Sequence, residues 1–127
     1  NVALAGGKPQ VEDVYARGVQ PYIISDPGGG GTFDVSHSGY CEVTSVGAAE
    51  TRTLPDPTFR GQQIDFVFVS DLGAVAAAGA SAMNQTGNTI FTFTDVGEHI
   101  RLMGAYNATD GWEWKTIVTD GAAQSGP

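Results

Sequence analysis

Positive charge is scarce in this chain of 127 residues, which carries six Lys and Arg against fourteen Asp and Glu and has a net charge of -8 at pH 7. Sequence-independent binding to nucleic acid needs a basic surface, so the composition excludes that class of function. The acidic balance also keeps the protein off anionic membranes and polyphosphates. No apolar run approaches the length of about 18 residues that a membrane span needs, and no basic start precedes an apolar segment, so we expect neither a membrane segment nor a signal peptide.

Cysteine and strong helix formers other than Ala are scarce as well. The single cysteine, Cys41, excludes an internal disulfide. Leu occurs only four times and Lys twice, whereas Val, Thr, Ile and Phe are plentiful. These last residues favour strands, so the composition excludes a helical bundle and predicts an all-β protein.

The chain divides near residue 38. The part before it holds three of the six prolines and the glycine run Gly28–Gly31, which has no side chains to pack and cannot lie inside a regular element. We therefore predict that residues 1–38 form an extended arm, joined to the rest by a flexible hinge at Gly28–Gly31. The arm residues expected to bind a partner are Val14, Tyr15, Arg17, Tyr22 and Ile23.

Residues 39–127 alternate between short apolar–polar segments and turn signals, which is typical of β domains. In the clearest segment, Ile64, Phe66 and Phe68 fall on one face at a period of two. Val67 and Val69 make the far end of the other face apolar, which predicts a central strand covered on both sides there.

The strand candidates in this region are 40–44, 50–54, 62–70, 88–94, 98–105 and 112–119, with 73–78 open between strand and helical turn. The pair Asp110–Gly111 predicts a type I′ turn in the last hairpin. The pattern predicts an antiparallel β-sandwich or small β-barrel, jelly-roll-like, in residues 39–127, with a frayed tail at 120–127.

The predicted core consists of the apolar residues on the inward faces of these strands. They are Ile64, Phe66, Phe68, Phe91, Phe93, Ile100, Leu102, Trp114 and Ile117. This set is thin for a domain without disulfides, so we expect a homo-oligomer, most simply a homotrimer. Trp112 and Tyr106 in the last hairpin are the predicted oligomer interface, because exposed aromatic residues anchor interfaces.

No pattern of residues predicts catalysis. Along one strand, His37 and Cys41 lie roughly 13 Å apart, too far for a base and its nucleophile. Glu98 and Glu113 could face each other across the last hairpin, but Arg101 and Lys115 on the same strands favour a solvated charged face.

No spacing of His, Cys or carboxylates resembles a metal site, and no glycine loop resembles a phosphate site. The triplets that start at Asn84 and Asn107 fit the glycosylation sequon, but each lies where Asn serves as a turn residue. We expect a protein that is not an enzyme and that has no catalytic residues, cofactor or metal.

From Glu50 onward, a series of turn and strand motifs recurs in a characteristic order. The motifs are Thr51–Pro57, Gly61–Gln62, Asn84–Ile90, Gly97–Leu102, Gly111–Trp114 and Thr119–Gly121. A Thr-rich strand that closes on Leu-Pro, a Gly-Gln strand start and a last hairpin with Gly-Trp resemble small structural proteins of tailed bacteriophages. These include head-decoration, cement and head-fibre proteins.

The resemblance implies a β-rich module of the virion that binds the major capsid protein on the outer capsid surface and stabilises the shell as a homotrimer. It implies no nucleic-acid or membrane partner. The alternative is a carbohydrate- or receptor-binding module of a phage fibre or tail. In that case Tyr106 and Trp112 would form an aromatic platform beside Asn107 and Asp110.

Overall fold

A computed structural model describes residues 21–70 and 72–127 of the chain. In these residues the regular structure is entirely β, as the composition predicts. The strands are β1 (Ile23–Ile24), β2 (Gly39–Thr44), β3 (Glu50–Thr53), β4 (Gln63–Ser70), β5 (Val75–Ala78), β6 (Ile90–Phe93), β7 (His99–Asn107), β8 (Gly111–Asp120) and β9 (Ala123–Ser125). The segment 73–78, which the sequence left open, is therefore a strand.

The strands form two open sheets. Sheet A has the order β1-β2-β4-β7-β8, and sheet B has the order β3-β5-β6-β9. The pairs β1/β2, β2/β4 and β3/β5 are parallel and the remaining pairs antiparallel, so the purely antiparallel expectation is wrong. The reason is connectivity: β3 separates β2 from β4 along the chain but lies in the other sheet, so the chain crosses over and re-enters sheet A in the same direction. The strands form two separate sheets rather than one closed sheet, so the alternative of a small β-barrel is also wrong.

The two sheets pack against each other through phenylalanine rings. Phe66 of β4 lies 5.2 Å from Phe91 of β6, and Phe68 stacks on Phe93 at 5.4 Å between ring centroids. These four side chains are at most 1% exposed. Eight of the nine predicted core residues are buried, which confirms the period-two assignment of the inward faces.

Ile117 is the predicted core residue that the structure contradicts, because it is 48% exposed. Arg101 pairs with Val118 and Leu102 with Thr116, so Ile117 is an extra residue in β8. Such a β-bulge shifts the alternation of side chains and turns the extra residue out of the ladder. Ile117 also has the parity of Glu113 and Lys115, opposite Trp114, so a strict period of two already places it on the outer face, and its apolar character alone suggested the core.

The far end of β4 also differs from its prediction. Val67 is half-buried and Val69 is 38% exposed, so no second layer formed by the described residues covers this end of the strand. The apolar outer residues of β4 lie on the open face of sheet A.

Residues 21–38, the second half of the predicted arm, belong to the packed body. Ile24, Phe33 and Val35 are buried in the common core, and the Phe33 ring packs edge-on against Phe66 at 4.8 Å. β1 pairs in parallel with β2, with Ile24 opposite Cys41. The core is thus thicker than residues 39–127 alone can supply. Val14, Tyr15 and Arg17 lie outside the described residues.

The glycine run is an ordered turn rather than a hinge. Gly28 and Gly30 have φ of 83° and 78°, the left-handed region that glycine adopts without strain. The N–H of Gly30 donates to the carbonyl of Thr51 at 2.7 Å, and Thr53 exchanges backbone hydrogen bonds with Gly31 and Phe33. The run therefore guides the chain along the free side of β3.

A fully buried guanidinium, that of Arg52 in β3, joins three parts of the chain. Its Nε and Nη2 donate to the two oxygens of Asp26 at 2.6 and 2.9 Å, and its Nη1 donates to Glu50 at 3.1 Å. Nη2 also donates to the carbonyl of Thr44 at the end of β2. This network fixes the segment after β1 and the end of sheet A against sheet B.

The buried side-chain amide of Gln62 joins separate segments of the chain at the start of β4, the end opposite to Arg52. Its Nε2 donates to the carbonyls of Val35 and His37 at 2.6 and 3.0 Å, and its Oε1 accepts the backbone N–H of Thr58 at 2.7 Å. The segment before β2 and the loop before β4 are thereby held by one side chain.

The end of the chain is also ordered. β9 pairs antiparallel with β6, with Phe91 opposite Gln124, and Ala122 is buried. The predicted frayed tail at 120–127 is therefore wrong for residues 122–125. Their small polar side chains gave no strand signal, because the pairing partner rather than the segment itself determines this strand.

We predict that Phe66→Ala or Phe68→Ala lowers the free energy of unfolding by about 3–5 kcal/mol, because each leaves a cavity between the two sheets. Urea denaturation at constant pH measures this. Val118→Ala, at a site 42% exposed on sheet A, is the control and should change stability by no more than about 0.5 kcal/mol. Equal stability of all three variants would contradict the packing described.

We predict that stability falls as the pH drops below about 4, and that Asp26→Asn removes part of this dependence. Burial would raise the pKa of Asp26, but hydrogen bonds from Arg52, Thr44 and Gly28 and the charge of Arg52 outweigh it and lower that pKa. A carboxyl with a depressed folded-state pKa stabilises fully above its unfolded pKa, about 3.9, and this contribution is lost as the pH falls through the folded value.

Urea unfolding of wild type and Asp26→Asn at pH 7 and pH 3 measures the effect. At pH 7 the variant should lose about 3 kcal/mol, because the buried Arg52 keeps only Glu50 as a counter-charge. If that variant does not fold, Glu50→Gln serves instead, since the pKa of Glu50 is lowered by the N–H of Val46 and by Arg52. If both variants lost as much free energy of unfolding between pH 7 and pH 3 as wild type does, the assignment of this pH dependence to the carboxylates around Arg52 would be refuted.

Candidate functional site

The hairpin of β7 and β8 carries an exposed aromatic cluster at its tip, as the sequence predicts for Tyr106 and Trp112. We call Phe59, Arg60, Tyr106 and Trp112 the aromatic patch. Tyr106 and Phe59 are each 43% exposed, Trp112 is half-buried and Arg60 is exposed. The first two members of the patch come from the loop before β4, which sequence reasoning did not select.

The hairpin turn that presents Tyr106 and Trp112 has three residues. Asn107 pairs with Gly111, and Gly111 has a φ of 82°. Asp110 has no positive φ, so the expected type I′ turn at Asp110–Gly111 is wrong; the geometry suits a three-residue loop with glycine in the left-handed region after it. The Asn107 side-chain oxygen accepts the N–H groups of Thr109 and Asp110 at 2.9 and 2.7 Å and shapes the turn.

Gly104 allows the loop before β4 to cross the hairpin. A Cβ at this position would lie 2.7 Å from Pro57 and 2.8 Å from the carbonyl oxygen of Phe59, which is too close for any other residue. The N–H of Gly61 donates to the Gly104 carbonyl at 2.8 Å, and the indole N–H of Trp114 donates to the carbonyl of Pro55 at 2.7 Å. The loop is thus fastened at both ends, which places Phe59 and Arg60 beside Tyr106.

Within the aromatic patch, the rings are edge to face. Tyr106 and Trp112 have centroids 5.0 Å apart and planes at 63°. The guanidinium carbon of Arg60 lies 5.1 Å from the Tyr106 centroid, a cation–π contact. One face of Tyr106 is therefore covered by Arg60, and the patch is not a flat platform.

Arg60 differs from the other cationic side chains in the part of the chain that the structure describes. The others form ion pairs: Arg52 with Asp26 and Glu50, Arg101 with Asp65 at 2.7 Å, and Lys115 with Glu113 at 3.0 Å. Among the described residues Arg60 has no carboxylate partner within 4 Å. Its in-plane N–H groups are therefore available to a ligand.

A second exposed feature lies at the outer edge of sheet A, where β1 pairs with β2 alone in residues 21–70 and 72–127. We call Tyr22 and Ile23 the β1 edge; they are 49% and 62% exposed. The Tyr22 ring stacks on His37 at 4.2 Å. Beside them is an open groove of about 270 Å³. Its lining residues are Pro21, Tyr22, Ser38, Gly39, Gln63 and Asp65.

The β1 edge and the aromatic patch lie at the same end of sheet A. Ile23 is in the row of Tyr40, Asp65 and Arg101, and Tyr106 follows Arg101 by five residues along β7. This spacing corresponds to about 16 Å along the strand. The structure thus brings Tyr22 and Ile23, the described members of the predicted anchor set, to the same end of sheet A as Tyr106 and Trp112, but on a separate surface.

Glu98 and Glu113 do not form the carboxylate pair that the sequence left possible but did not favour. Glu113, in β8, lies opposite Ala105 of β7. Glu98 precedes β7, and its side chain accepts a hydrogen bond from the backbone N–H of Thr94 at 2.7 Å. Glu113 is buried on the outer face of sheet A, where it accepts a hydrogen bond from Asn107 and forms an ion pair with Lys115. The face is therefore an internally paired network rather than a freely solvated one.

Both sequon asparagines act as turn residues, as predicted. Asn84 accepts the N–H groups of Gly87 and Asn88 through its side-chain oxygen, each at 3.0 Å. Asn107 is occupied in the same way, and its amide nitrogen also donates to Glu113 at 3.0 Å. Its polar atoms are thus committed to the hairpin and are poorly placed for a sugar on Tyr106 and Trp112.

The described residues contain neither a candidate metal site nor a candidate membrane-spanning helix. No group of three or more His, Cys, Asp and Glu side chains there could hold a metal ion. No helix in the same residues is long and apolar enough to cross a membrane.

No protein-family model matches the chain, and no curated protein sequence matches it. The phage resemblance therefore rests on the motifs from Glu50 onward, and the exposed surfaces provide the structural basis for a proposal.

We predict that Cys41 is unreactive in the folded protein. Burial, reinforced by the nearby charge of Asp26, raises the pKa of this thiol to about 12, so the reactive thiolate is absent at neutral pH. A disulfide reagent should label no thiol in native protein at pH 8 and one thiol per chain in denaturant. Rapid labelling of the native protein would contradict this.

Proposed function

We propose that the chain is a non-enzymatic structural protein of a virion, which binds the major capsid protein on the outer capsid surface and stabilises the shell. The motifs from Glu50 onward suggest this class. The structural observation that supports the proposal is the β1 edge, which among residues 21–70 and 72–127 is paired on one side only and has two exposed apolar side chains. In this proposal the packed sheets form a β-sandwich, and a jelly-roll-like strand order and a homotrimer remain predictions.

An open edge strand favours binding to an extended segment of another protein. Its unpaired backbone N–H and C=O groups add a strand, and exposed side chains supply specificity. Ile23 points away from the core beside Tyr40, and Tyr22 is held by its stack on His37. A preorganised aromatic ring loses little conformational entropy on binding.

The rest of the protein supports such a role by rigidity. The side chains of Arg52 and Gln62 fix the segments on both sides of β2, so the β1 edge is held against a stable body. A cement protein has to transmit force between neighbouring subunits, and a rigid body of two packed sheets does this better than a mobile loop.

We predict that Tyr22→Ser/Ile23→Ser weakens binding to capsids by about 30-fold, which corresponds to a loss of about 2 kcal/mol from interface anchors. The binding partner is the capsid of a phage that encodes this protein, assembled in its absence. Binding is measured by co-sedimentation of each variant with these capsids. The matched control is Val46→Ser/Leu72→Ser, which removes two exposed apolar side chains from the opposite end of the strands. Unchanged binding by the β1-edge variant, or equal loss by the control, would contradict the proposal.

A shortened chain separates the β1 edge from the residues before it. A protein that begins at Pro21 keeps every described residue but lacks Val14, Tyr15 and Arg17. If these residues anchor the capsid as predicted, it folds with unchanged stability and binds capsids more weakly. A chain that begins at Gly39 should not fold stably, because it lacks Ile24, Phe33 and Val35. Binding to glycans on an array, without binding to capsids, would support the carbohydrate-binding alternative.

A further inference from the structure

We propose that the aromatic patch binds a second copy of this chain, with Arg60 of one copy paired to a carboxylate, Asp56 or Asp110, at the rim of the neighbour's patch. This deepens the homo-oligomer of the proposed function by naming its surface and its charged contact. It concerns a different surface from the β1 edge, so it can be tested without a capsid.

The make-up of the patch is that of an interface centre. Tyr, Trp and Arg dominate the energetics of protein interfaces, and here Tyr106 contacts both Trp112 and Arg60, while the exposed Phe59 precedes Arg60 in the chain. The patch is also rigid: Gly104 and Trp114 fasten the loop that carries Phe59 and Arg60 to the hairpin. Little conformational freedom is therefore lost when a partner covers it.

The positive charge of Arg60 determines which kind of group a partner must bring to the patch. The guanidinium carbon of Arg60 lies over the Tyr106 ring at 5.1 Å from its centroid, and the guanidinium forms no ion pair among the described residues. The planar fork of N–H groups of a guanidinium matches a carboxylate in a bidentate arrangement. Covering the patch with an apolar surface alone would bury this cation unpaired, which is strongly unfavourable. The partner must therefore present a carboxylate at the edge of an apolar area.

The chain itself offers this combination. Asp56 lies three residues before Phe59, and Asp110 lies in the hairpin turn two residues before Trp112, and both are exposed. Among the described residues neither carboxylate forms an ion pair. The patch thus contains a cation without a carboxylate partner among the described residues, and two carboxylates without a cationic partner lie within three residues of patch members along the chain; this is the charge complementarity that a closed symmetric interface between two copies requires.

Two features limit the strength of this contact. Each copy carries a net charge of -8, which opposes association. The patch consists of four side chains, fewer than the 20 or so residues per partner of a typical stable interface. We therefore expect a dissociation constant of order micromolar for the isolated protein.

Sedimentation velocity of the full chain between about 2 and 200 µM tests the proposal. Wild type should show a mass that rises with concentration above that of a monomer. Arg60→Glu alone, and Asp56→Arg with Asp110→Arg, should each raise the dissociation constant at least tenfold. The chain with all three substitutions should return to within about threefold of wild type, because every reversed charge again faces an opposite one. Asp120→Arg, at the far end of β8, is the control and should leave association unchanged.

Each result decides the proposal. A wild type that stays monomeric up to 200 µM, an Arg60→Glu variant that associates as wild type does, or a triple variant that fails to recover would each overturn it. Circular dichroism and melting temperature check that these exposed substitutions leave the fold intact. If wild type is monomeric and the Arg60→Glu variant no longer binds capsids, the patch is a capsid-binding surface and the proposal of self-association is overturned. Failure of the proposed function is distinct, since it appears in the β1-edge variants and in capsid binding.

Discussion

The buried side chain of Arg52 is the constraint on which the arrangement of the chain depends. A guanidinium cannot lose its proton, so burial requires that its charge be neutralised inside the protein. Asp26 supplies two hydrogen bonds, Glu50 one, and the carbonyl of Thr44 another. These groups come from the segment after β1, from β3 and from the end of β2. A path of residues 21–38 that moved Asp26 away would leave the buried cation with Glu50 as its one carboxylate partner among the described residues.

This constraint also connects the fold to the candidate surfaces. With Asp26 fixed, β1 is held in parallel register against β2, and its outer side becomes the open edge of sheet A. Gln62 secures the segment before β2 and the loop that leads to the aromatic patch. Two buried polar side chains therefore position the two surfaces for which we propose functions.

Local periodicity predicted the strands that have their own apolar face. Phe66 and Phe68 in β4, and Ile100 and Leu102 in β7, were assigned to the core from alternation alone, and all are buried. The parallel pairs were not predictable, because strand direction depends on which sheet the intervening strand joins. Ile117 was assigned to the core from its apolar character, although alternation places it on the face of Glu113 and Lys115, opposite the buried Trp114.

The buried polar groups and half of the aromatic patch escaped prediction for a related reason. Arg52 lies in a polar Thr-rich segment, and only the approach of Asp26, which is distant in sequence, explains its burial. Tyr106 and Trp112 were selected because they flank a hairpin. Phe59 and Arg60 lie in a loop with no period, and their relation to Tyr106 depends on the clearance that Gly104 provides.

The pairing of β9 with β6 has a consequence for solubility. β6 reads Ile-Phe-Thr-Phe, an apolar segment of high strand propensity, and the exposed backbone edge of such a segment recruits other chains into aggregates. β9 reads Ala-Gln-Ser and occupies that edge with small and polar side chains. The outermost strand of sheet B is consequently one with little tendency to aggregate, and a chain that lost its last few residues would expose the adhesive edge of β6 to its neighbours.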